Sequence, residues 1–412
     1  MLKDDQLRPS AAFSNLLRRS WFSRIWILQE VALAKDIWIC CGSALTDWTA
    51  FSAVLMALRK KSNFSKDFRA ALNLVSFRAQ FQKRSDAGGI DIYEAMVQAR
   101  QCDVSILSDK VYGLFGVCPQ LARAVGKPDY SLGFEVIWTR AQRACLRTEF
   151  SINTLSLVSS PNPGALPISE DLPSWVADLS TGRKTWCRPR PSTSEDGIAL
   201  IFDCQGLDSK CLHAWGAIAD TLAFEVGNTH GNSIADNRRM WRHWWDEFVR
   251  HDQSSDKGSE DKKFAFWSTL SSNSKQTIPR GLLLKPLHSR LLGGSRLPSI
   301  TEETKTLPDT YVSDMVESTS TRIFGITSKG TIGLFPNTAR VGDSIVLFSG
   351  GTTPYLVRQI PKYIIERQQE ESGCLRRNVV VYHLIGPCYV YELMESEEAI
   401  GERFGEGEVN LL

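Results

Sequence analysis

Ser20-Trp-Phe-Ser-Arg-Ile-Trp-Ile-Leu-Gln-Glu-Val-Ala-Leu-Ala34, followed after Lys35 by Asp36-Ile-Trp-Ile-Cys-Cys-Gly42, is the stretch from which the fold is read. Ser20 is a suitable N-cap, and no Pro or Gly interrupts the run before Lys35. At about 100° per residue, Trp21, Ile25, Leu28 and Ala32 share one face. Phe22, Trp26, Val31 and Leu33 flank it, and only Ser23 and Glu30 mark a polar strip. A helix apolar on most sides is a buried one, so Trp26 is expected inside. Arg24, Gln29 and Glu30 would then lie close to a core and need partners. Ile37–Cys41 is a short apolar run stopped by Gly42, the pattern of a buried strand.

Outward from this stretch the chain is first helical. Asp47–Arg59, Lys66–Arg84, Ile90–Ala99 and Ser131–Thr148 carry apolar stripes at helical spacing, and Ser108 or Asp109 starts a short helix through Val111 and Tyr112. Leu155–Val158 is a strand candidate, and Trp175 an apolar anchor for an irregular segment. Thr181–Gly197 is rich in Pro, Ser, Arg and Thr without periodicity, and reads as a linker.

Strand patterns then take over at Ile198–Asp203 and Leu212–Glu225. A helical insertion follows, with Met240, Trp241, Trp244, Trp245 and Phe248 on one side of a helix capped by Asp236. Aromatics at that spacing mark a core. Phe264–Leu270, Leu282–Leu292 and Asp309–Ser318 continue it as weaker helices. Short strands resume at Arg322–Thr327, Thr331–Phe335, Asp343–Phe348, Tyr355–Ile360 and Val379–Tyr391. The expectation is that Ile198–Glu225 pairs with the strands between Arg322 and Tyr391 in one β module.

The whole is an α+β chain. Residues 1–45 read as a helix feeding a strand, which the family resemblance given below implies to be the residual C-terminal end of an α/β domain, 46–180 as a helical region, 181–197 as the linker, and 198–400 as a small antiparallel β sheet or barrel with a helical insertion at about 228–318. At 412 residues it exceeds one typical domain, and 42% hydrophobic with 23% charged residues is ordinary for a globular protein. A formal charge of +2 gives no electrostatic case for nucleic acid, and no apolar run has membrane-spanning length. Without a leader-like stretch, the expected setting is the cytoplasm, with the nucleus also open to it. The ten cysteines are scattered in apolar contexts, which suits reduced thiols. Cys204, Cys211 and His213 come nearest to a ligand cluster, but their spacing fits no zinc signature, so no metal and no cofactor is expected.

Trp21-Phe-x-Arg24-x-Trp26-x-x-Gln29-Glu30-Val-Ala resembles the last motif of the fungal heterokaryon-incompatibility (HET) domain. The resemblance continues at Asp109-Lys-Val-Tyr-Gly-Leu114, Pro128-Asp-Tyr-Ser131 and Leu172-Pro-Ser-Trp-x-x-Asp178. It extends through Gly342-Asp343, Pro354-Tyr-Leu-Val-Arg358 and Leu384-Ile-Gly-x-Cys-Tyr-Val390. It implies a role in self/non-self recognition, allorecognition-linked innate immunity and programmed cell death, through protein partners. A complete domain of this kind carries an earlier Ser-Tyr-x-Trp-Gly-like motif and an Asp-x-x-Cys-Ile-Asn-Gln-like motif. Neither stands in this chain, and twenty residues precede Trp21. The resemblance therefore implies an N-terminally truncated domain with impaired signalling, or an inert folded relic.

For catalysis, no Gly-rich phosphate loop and no nucleophile elbow is present. HET domains have been likened to Toll/interleukin-receptor-like folds, some of which cleave NAD. On that alternative, Glu30 is the one weak catalytic candidate, although a structural ion pair with Arg24 would explain it equally well.

Overall fold

The computed structural model describes residues 11–59, 68–84, 89–148, 152–158, 168–181, 209–227, 234–251, 260–272, 309–351, 353–361, 380–395 and 407–412. The chain divides into two compact units, Met1–Glu149 with Asp178–Lys184, and Phe150–Ala177 with Thr185–Leu412. The proposed strand Ile198–Asp203, the helix Leu282–Leu292 and nearly all of the linker lie outside the described residues.

Unit 1 is mostly helical. Its elements are α1 (Ala11–Leu17), α2 (Trp26–Leu33), β1 (Trp38–Cys41), β2 (Ala44–Asp47), α3 (Trp48–Arg59) and α4 (Arg69–Arg84). They continue with α5 (Ile92–Arg100), α6 (Asp109–Tyr112), α7 (Pro119–Val125) and α8 (Phe134–Thr148). Two of these helices open on an Asp cap. Asp47 Oδ1 accepts from the Ala50 N–H (2.9 Å) at the start of α3, and Asp91 Oδ1 from the Glu94 N–H (2.6 Å) at the start of α5.

The opening stretch departs from the single buried helix expected. Ser20–Ser23 is one 3-10 turn, and the α-helix restarts at Trp26. The cause is a bridge to a distant segment. The Asp103 N–H donates to the Ser23 carbonyl (2.6 Å) and the Ile25 N–H to the Asp103 carbonyl (3.2 Å), so this backbone is diverted out of the helical ladder. The restarted helix buries Ile27, Leu28, Val31 and Ala32, and Ile25 just ahead of it. It leaves Trp21 and Trp26 at its exposed margin, against the expectation that Trp26 is a core ring.

Ile37–Cys41 is likewise not a buried strand of a parallel sheet. Trp38–Cys41 pairs antiparallel with Ala44–Asp47 in a two-stranded sheet, with Trp38 opposite Asp47 and Cys40 opposite Leu45. A two-stranded ribbon has too little surface to bury both faces: β1 alternates between exposed and half-buried residues, and β2 runs from exposed Ala44 and Leu45 to half-buried Thr46 and Asp47.

Unit 2 holds the β module. Its elements are β3 (Leu212–Val226), α9 (Ile234–His251), α10 (Glu260–Leu270), α11 (Asp309–Thr319), β4 (Arg322–Thr327), β5 (Ile332–Pro336) and β6 (Ser344–Phe348). They end with β7 (Tyr355–Gln359), β8 (Val381–Pro387), β9 (Tyr389–Val390), α12 (Tyr391–Glu395) and β10 (Gly407–Leu411). The strand candidate Leu155–Val158 is instead part of a 3-10 helix, Ile152–Leu157, whose Ile152 carbonyl accepts from the Tyr355 hydroxyl at 3.4 Å.

As expected, Leu212–Glu225 joins the later strands. β3 pairs antiparallel with β6 through Gly216–Thr221 and with β4 through Leu222–Val226, with register shifts inside both pairings. Strands β3, β6, β7, β8 and β10 close a ring. Directions cannot alternate around an odd number of strands, so one neighbouring pair must run parallel. That pair is β8 with β10. Strands β4, β5 and β9 extend the second half of β3.

Period-two alternation on β4 and β5 sorts two cores. Phe324, Ile326, Ile332 and Leu334 pack on the inserted helices, against Trp241, Trp244, Phe248, Phe266, Trp267 and Met315. Ile323 and Phe335 face the other way, into a cluster with Leu222, Ile345, Leu356 and Cys388. Asp343, nearly buried, is held by a two-point contact from Arg358 (Nε to Oδ1 2.7 Å, Nη2 to Oδ2 2.8 Å).

Candidate functional site

The site is built from segments that the sequence keeps far apart. Trp26 is the first residue of α2, and its indole N–H donates to Asp109 Oδ2 at 3.3 Å. Asp109 opens α6, and its other oxygen, Oδ1, accepts from the Tyr130 hydroxyl at 2.9 Å. One turn along α2, Gln29 Nε2 donates to the Tyr112 carbonyl at 3.5 Å. The Tyr112 hydroxyl donates to the Asp129 carbonyl and accepts from the Asp129 N–H, both at 3.0 Å. Tyr112 also meets Tyr130 and Phe115 edge to face, with centroids 5.2 and 5.4 Å apart.

The loop carrying Asp129 and Tyr130 is shaped by Asp129 itself. Its Oδ1 accepts from the Ser131 N–H (2.9 Å) and hydroxyl (2.6 Å), an Asx-type turn. Those two bonds hold its carboxyl below the usual carboxylate range. Tyr130 is shifted the other way, above the ordinary phenol range, by desolvation first and then by its bond and proximity to Asp109. It therefore stays protonated as a donor at neutral pH. Burial is uneven: Asp109 is 9% exposed, Trp26 36% and Tyr130 55%. The result is a mostly buried carboxylate held by two aromatic donors, with the two rings open to solvent.

The support beneath is a buried cation. Lys110, next to Asp109, donates its ammonium to the carbonyls of Ala99 (2.8 Å) and Cys102 at the end of α5. Desolvation lowers its pKa, opposed by nearby Cys102, Asp103 and Asp178. Arg78 does the same for α2, with its guanidinium on the carbonyls of Val31, Ala34 (2.9 Å) and Lys35 (3.3 Å). Burial lowers the Arg78 pKa.

Of the residues singled out in sequence, Trp26 and Gln29 enter this cluster. Trp21 packs edge-on against Phe22 (5.0 Å) and is 37% exposed. Arg24 and Glu30 are exposed rather than core-edge groups, and among the described residues they form no ion pair with each other. Glu30 thus lacks the burial that sets a catalytic carboxylate apart. Asp109 and Tyr130 were not singled out as site residues. The available signal was a charged and an aromatic residue inside the segments Asp109–Leu114 and Pro128–Ser131. Trp175 is fully buried, with its indole N–H donating to the Lys210 carbonyl (2.8 Å), in keeping with an anchor. Cys211 and His213 are buried. His213 Nδ1 lies 3.0 Å from Glu408 Oε1, and Cys204 falls outside the described residues. Among the described residues, no group of three or more His, Cys, Asp or Glu could hold a metal ion, and no helix is long and apolar enough to cross a membrane. The described cysteines are free, and burial pushes the Cys102 and Cys388 thiols up to about 12.

The chain is similar to heterokaryon incompatibility protein 6, OR allele, of Neurospora crassa. The two are 22% identical over 430 residues, covering 86% of this chain and 63% of that protein. The chain thus spans less than two thirds of the length of this relative. No known family profile matches the chain, and no solved structure does.

Proposed function

We propose that this chain is a heterokaryon-incompatibility protein of the HET type, acting in fungal self/non-self recognition and cell death through contacts with protein partners. The observation that carries the reading is the meeting of three HET-like segments at Trp26, Asp109 and Tyr130, joined by hydrogen bonds of 3.3 and 2.9 Å. Trp and Tyr side chains held rigidly and left partly open are the residue types that dominate binding energy at protein interfaces. The named relative supports the same reading. On it, residues 1–45 carry the closing motif of the incompatibility domain, 46–180 its helical continuation and 198–400 the β module.

The test is a heterokaryon assay. The chain is introduced into a filamentous fungus under an inducible promoter, and the strain is paired with a panel of tester strains. The expected outcome is loss of heterokaryon viability in some pairings, abolished by Trp26→Ala and Asp109→Ala at unchanged protein level. Unchanged viability in every pairing, with the chain expressed and folded, removes the proposal. Viability loss that survives both substitutions but disappears in Glu30→Ala, together with NAD consumption by the purified chain, would replace it with the NAD-cleaving alternative.

A further inference from the structure

Asp109 is a carboxylate met by neutral donors. Oδ2 takes the Trp26 indole N–H and Oδ1 the Tyr130 hydroxyl. Such donors occupy lone pairs and leave the net charge in place. The ammonium next to it in sequence is turned elsewhere. Lys110 donates to the carbonyls of Ala99 and Cys102, and the groups acting on it are Cys102, Asp103, Asp178 and Arg100. On the Tyr130 side, the groups acting on the phenol are Asp109 and Tyr112. Asp129, one residue earlier, is a second carboxylate held below the usual range by Ser131, with Arg140 acting on it. The Trp26 and Tyr130 rings are open to solvent. So is Ile106, in the turn leading into α6, whose carbonyl accepts from the Asp109 N–H at 3.0 Å.

One negative charge thus stands behind two solvent-facing rings, and that combination selects for a cation. A ring face attracts positive charge through its quadrupole. A ring whose N–H or O–H is donated to an anion is polarised further in that direction. Asp109 itself is mostly buried, and each of its oxygens already takes a ring donor, so a ligand meets the ring faces first. An ammonium brings three strongly hydrated donors that ring faces leave unanswered. A guanidinium is planar, weakly hydrated and stacks on aromatic faces.

We propose that the Trp26–Asp109–Tyr130 cluster receives an arginine side chain of a partner protein, with the guanidinium on the ring faces and its methylene stem along Ile106. The inference rests on the reading of this cluster as a protein-contact surface and names the chemistry of the contact.

The test is NMR of the full 412-residue chain carrying ring-labelled tyrosine, titrated with N-acetyl-arginine amide. Tyr130→Phe identifies the Tyr130 signal among the nine tyrosines. Saturable movement of that signal is expected. The lysine analogue should bind about threefold weaker or more, and the citrulline analogue, of the same shape without the charge, about tenfold weaker or more. Affinity for the arginine probe should fall as salt is raised. Asp109→Asn should weaken it by about threefold to tenfold, with circular dichroism and melting temperature confirming that the variant folds. Equal binding of the arginine and citrulline probes overturns the proposal, as does a Tyr130 signal unmoved by arginine. So does undiminished binding by folded Asp109→Asn. The result is separable from that of the heterokaryon assay. Arginine-selective binding with unchanged viability in every pairing keeps this site and removes the incompatibility role. Viability loss that needs Trp26 and Asp109, without preference for arginine over citrulline, keeps that role and removes this chemistry.

Discussion

Asp109 concentrates three physical demands at one residue. It takes an indole N–H and a phenol O–H on separate oxygens and opens α6 over the buried Lys110. Replacing it by Ala leaves both donors without their acceptor, and a loss of about 1–3 kcal/mol in urea unfolding is expected. Asp109→Asn keeps the shape and removes the charge. The raised Tyr130 titration should then move partway back toward the ordinary phenol range, but not fully, because desolvation is its leading cause. Tyrosine-selective NMR across alkaline pH would read this, and an unmoved Tyr130 would contradict the geometry. The sign of the linkage follows. A phenol whose folded pKa is raised contributes stability below its ordinary range and loses it as pH climbs through the raised value. Trp26 illustrates what position alone could not reveal. As a ring one third open it should cost roughly 1–3 kcal/mol on Trp26→Ala, less than the about 3–5 kcal/mol of a fully enclosed one. Arg78 was legible in retrospect. It falls on the apolar stripe with Ala71, Leu74 and Val75, where a charged residue signals a buried acceptor, here the end of α2. Arg78→Leu should leave those carbonyls unanswered and lower stability by about 2–3 kcal/mol in the same unfolding assay.

Elements whose periodicity is backed by local chemistry came out where the pattern placed them. α3 and α5 have their Asp caps, and α9 has Trp241 and Trp244 on its inward side. The elements that moved are those whose backbone hydrogen bonds were claimed by a distant segment, as the Ser23–Ile25 stretch is by Asp103. Short apolar runs were the other weakness. Leu155–Val158 is apolar enough for a strand, yet its backbone closes locally into a 3-10 turn. In the β module, Gly325 and Gly333 sit directly opposite each other on β4 and β5, leaving room for the Phe335 ring. A Cβ at Gly333 would come 2.4 Å from the Tyr389 carbonyl oxygen, and one at Gly325 2.6 Å from a Leu222 methyl, with its nearest backbone atom, the Phe224 carbonyl oxygen, farther off at 2.9 Å. Backbone yields less readily than a side-chain tip. Gly333→Ala should therefore destabilise more than Gly325→Ala, with both costing about 1–3 kcal/mol or more in denaturant titrations. Equal, negligible effects would show that the sheet relaxes freely.

At the scale of the molecule, two units have separate architectures, and the second is completed by the last strand described. β10 pairs with β3 on one side and β8 on the other, so the ring depends on residues 407–411. Ser174 reinforces the closure, since its N–H donates to the Leu412 carbonyl at 3.0 Å and its hydroxyl oxygen accepts from the Leu384 N–H at 2.8 Å. Removing residues 407–412 should open the barrel, exposing β3 and β8 edges. Limited proteolysis should then cut within unit 2 at protease levels that leave the intact chain whole, while the α2–α6 cluster of unit 1 stays protected. Retention of full resistance by the shortened chain would contradict this reading of the ring.

By itself, the sequence determined the class of the chain, the run of helices followed by a β module with an aromatic helical insertion, and the HET-like segments. These rest on side-chain periodicity, turn residues and motif order, which are local properties. It also determined that Leu212–Glu225 belongs with the later strands, because an alternating apolar segment must find strands of the same kind. The tertiary structure alone decided that Trp26 is half-open, that Ile37–Cys41 forms a ribbon instead of a buried strand, and that Asp109 and Tyr130 meet Trp26. Each of those turns on a contact between segments that the sequence separates, 83 positions for Trp26 with Asp109 and 21 for Asp109 with Tyr130, or on the absence of a third strand among the described residues. Periodicity states which faces are apolar, but which face is covered depends on what the rest of the chain brings to it.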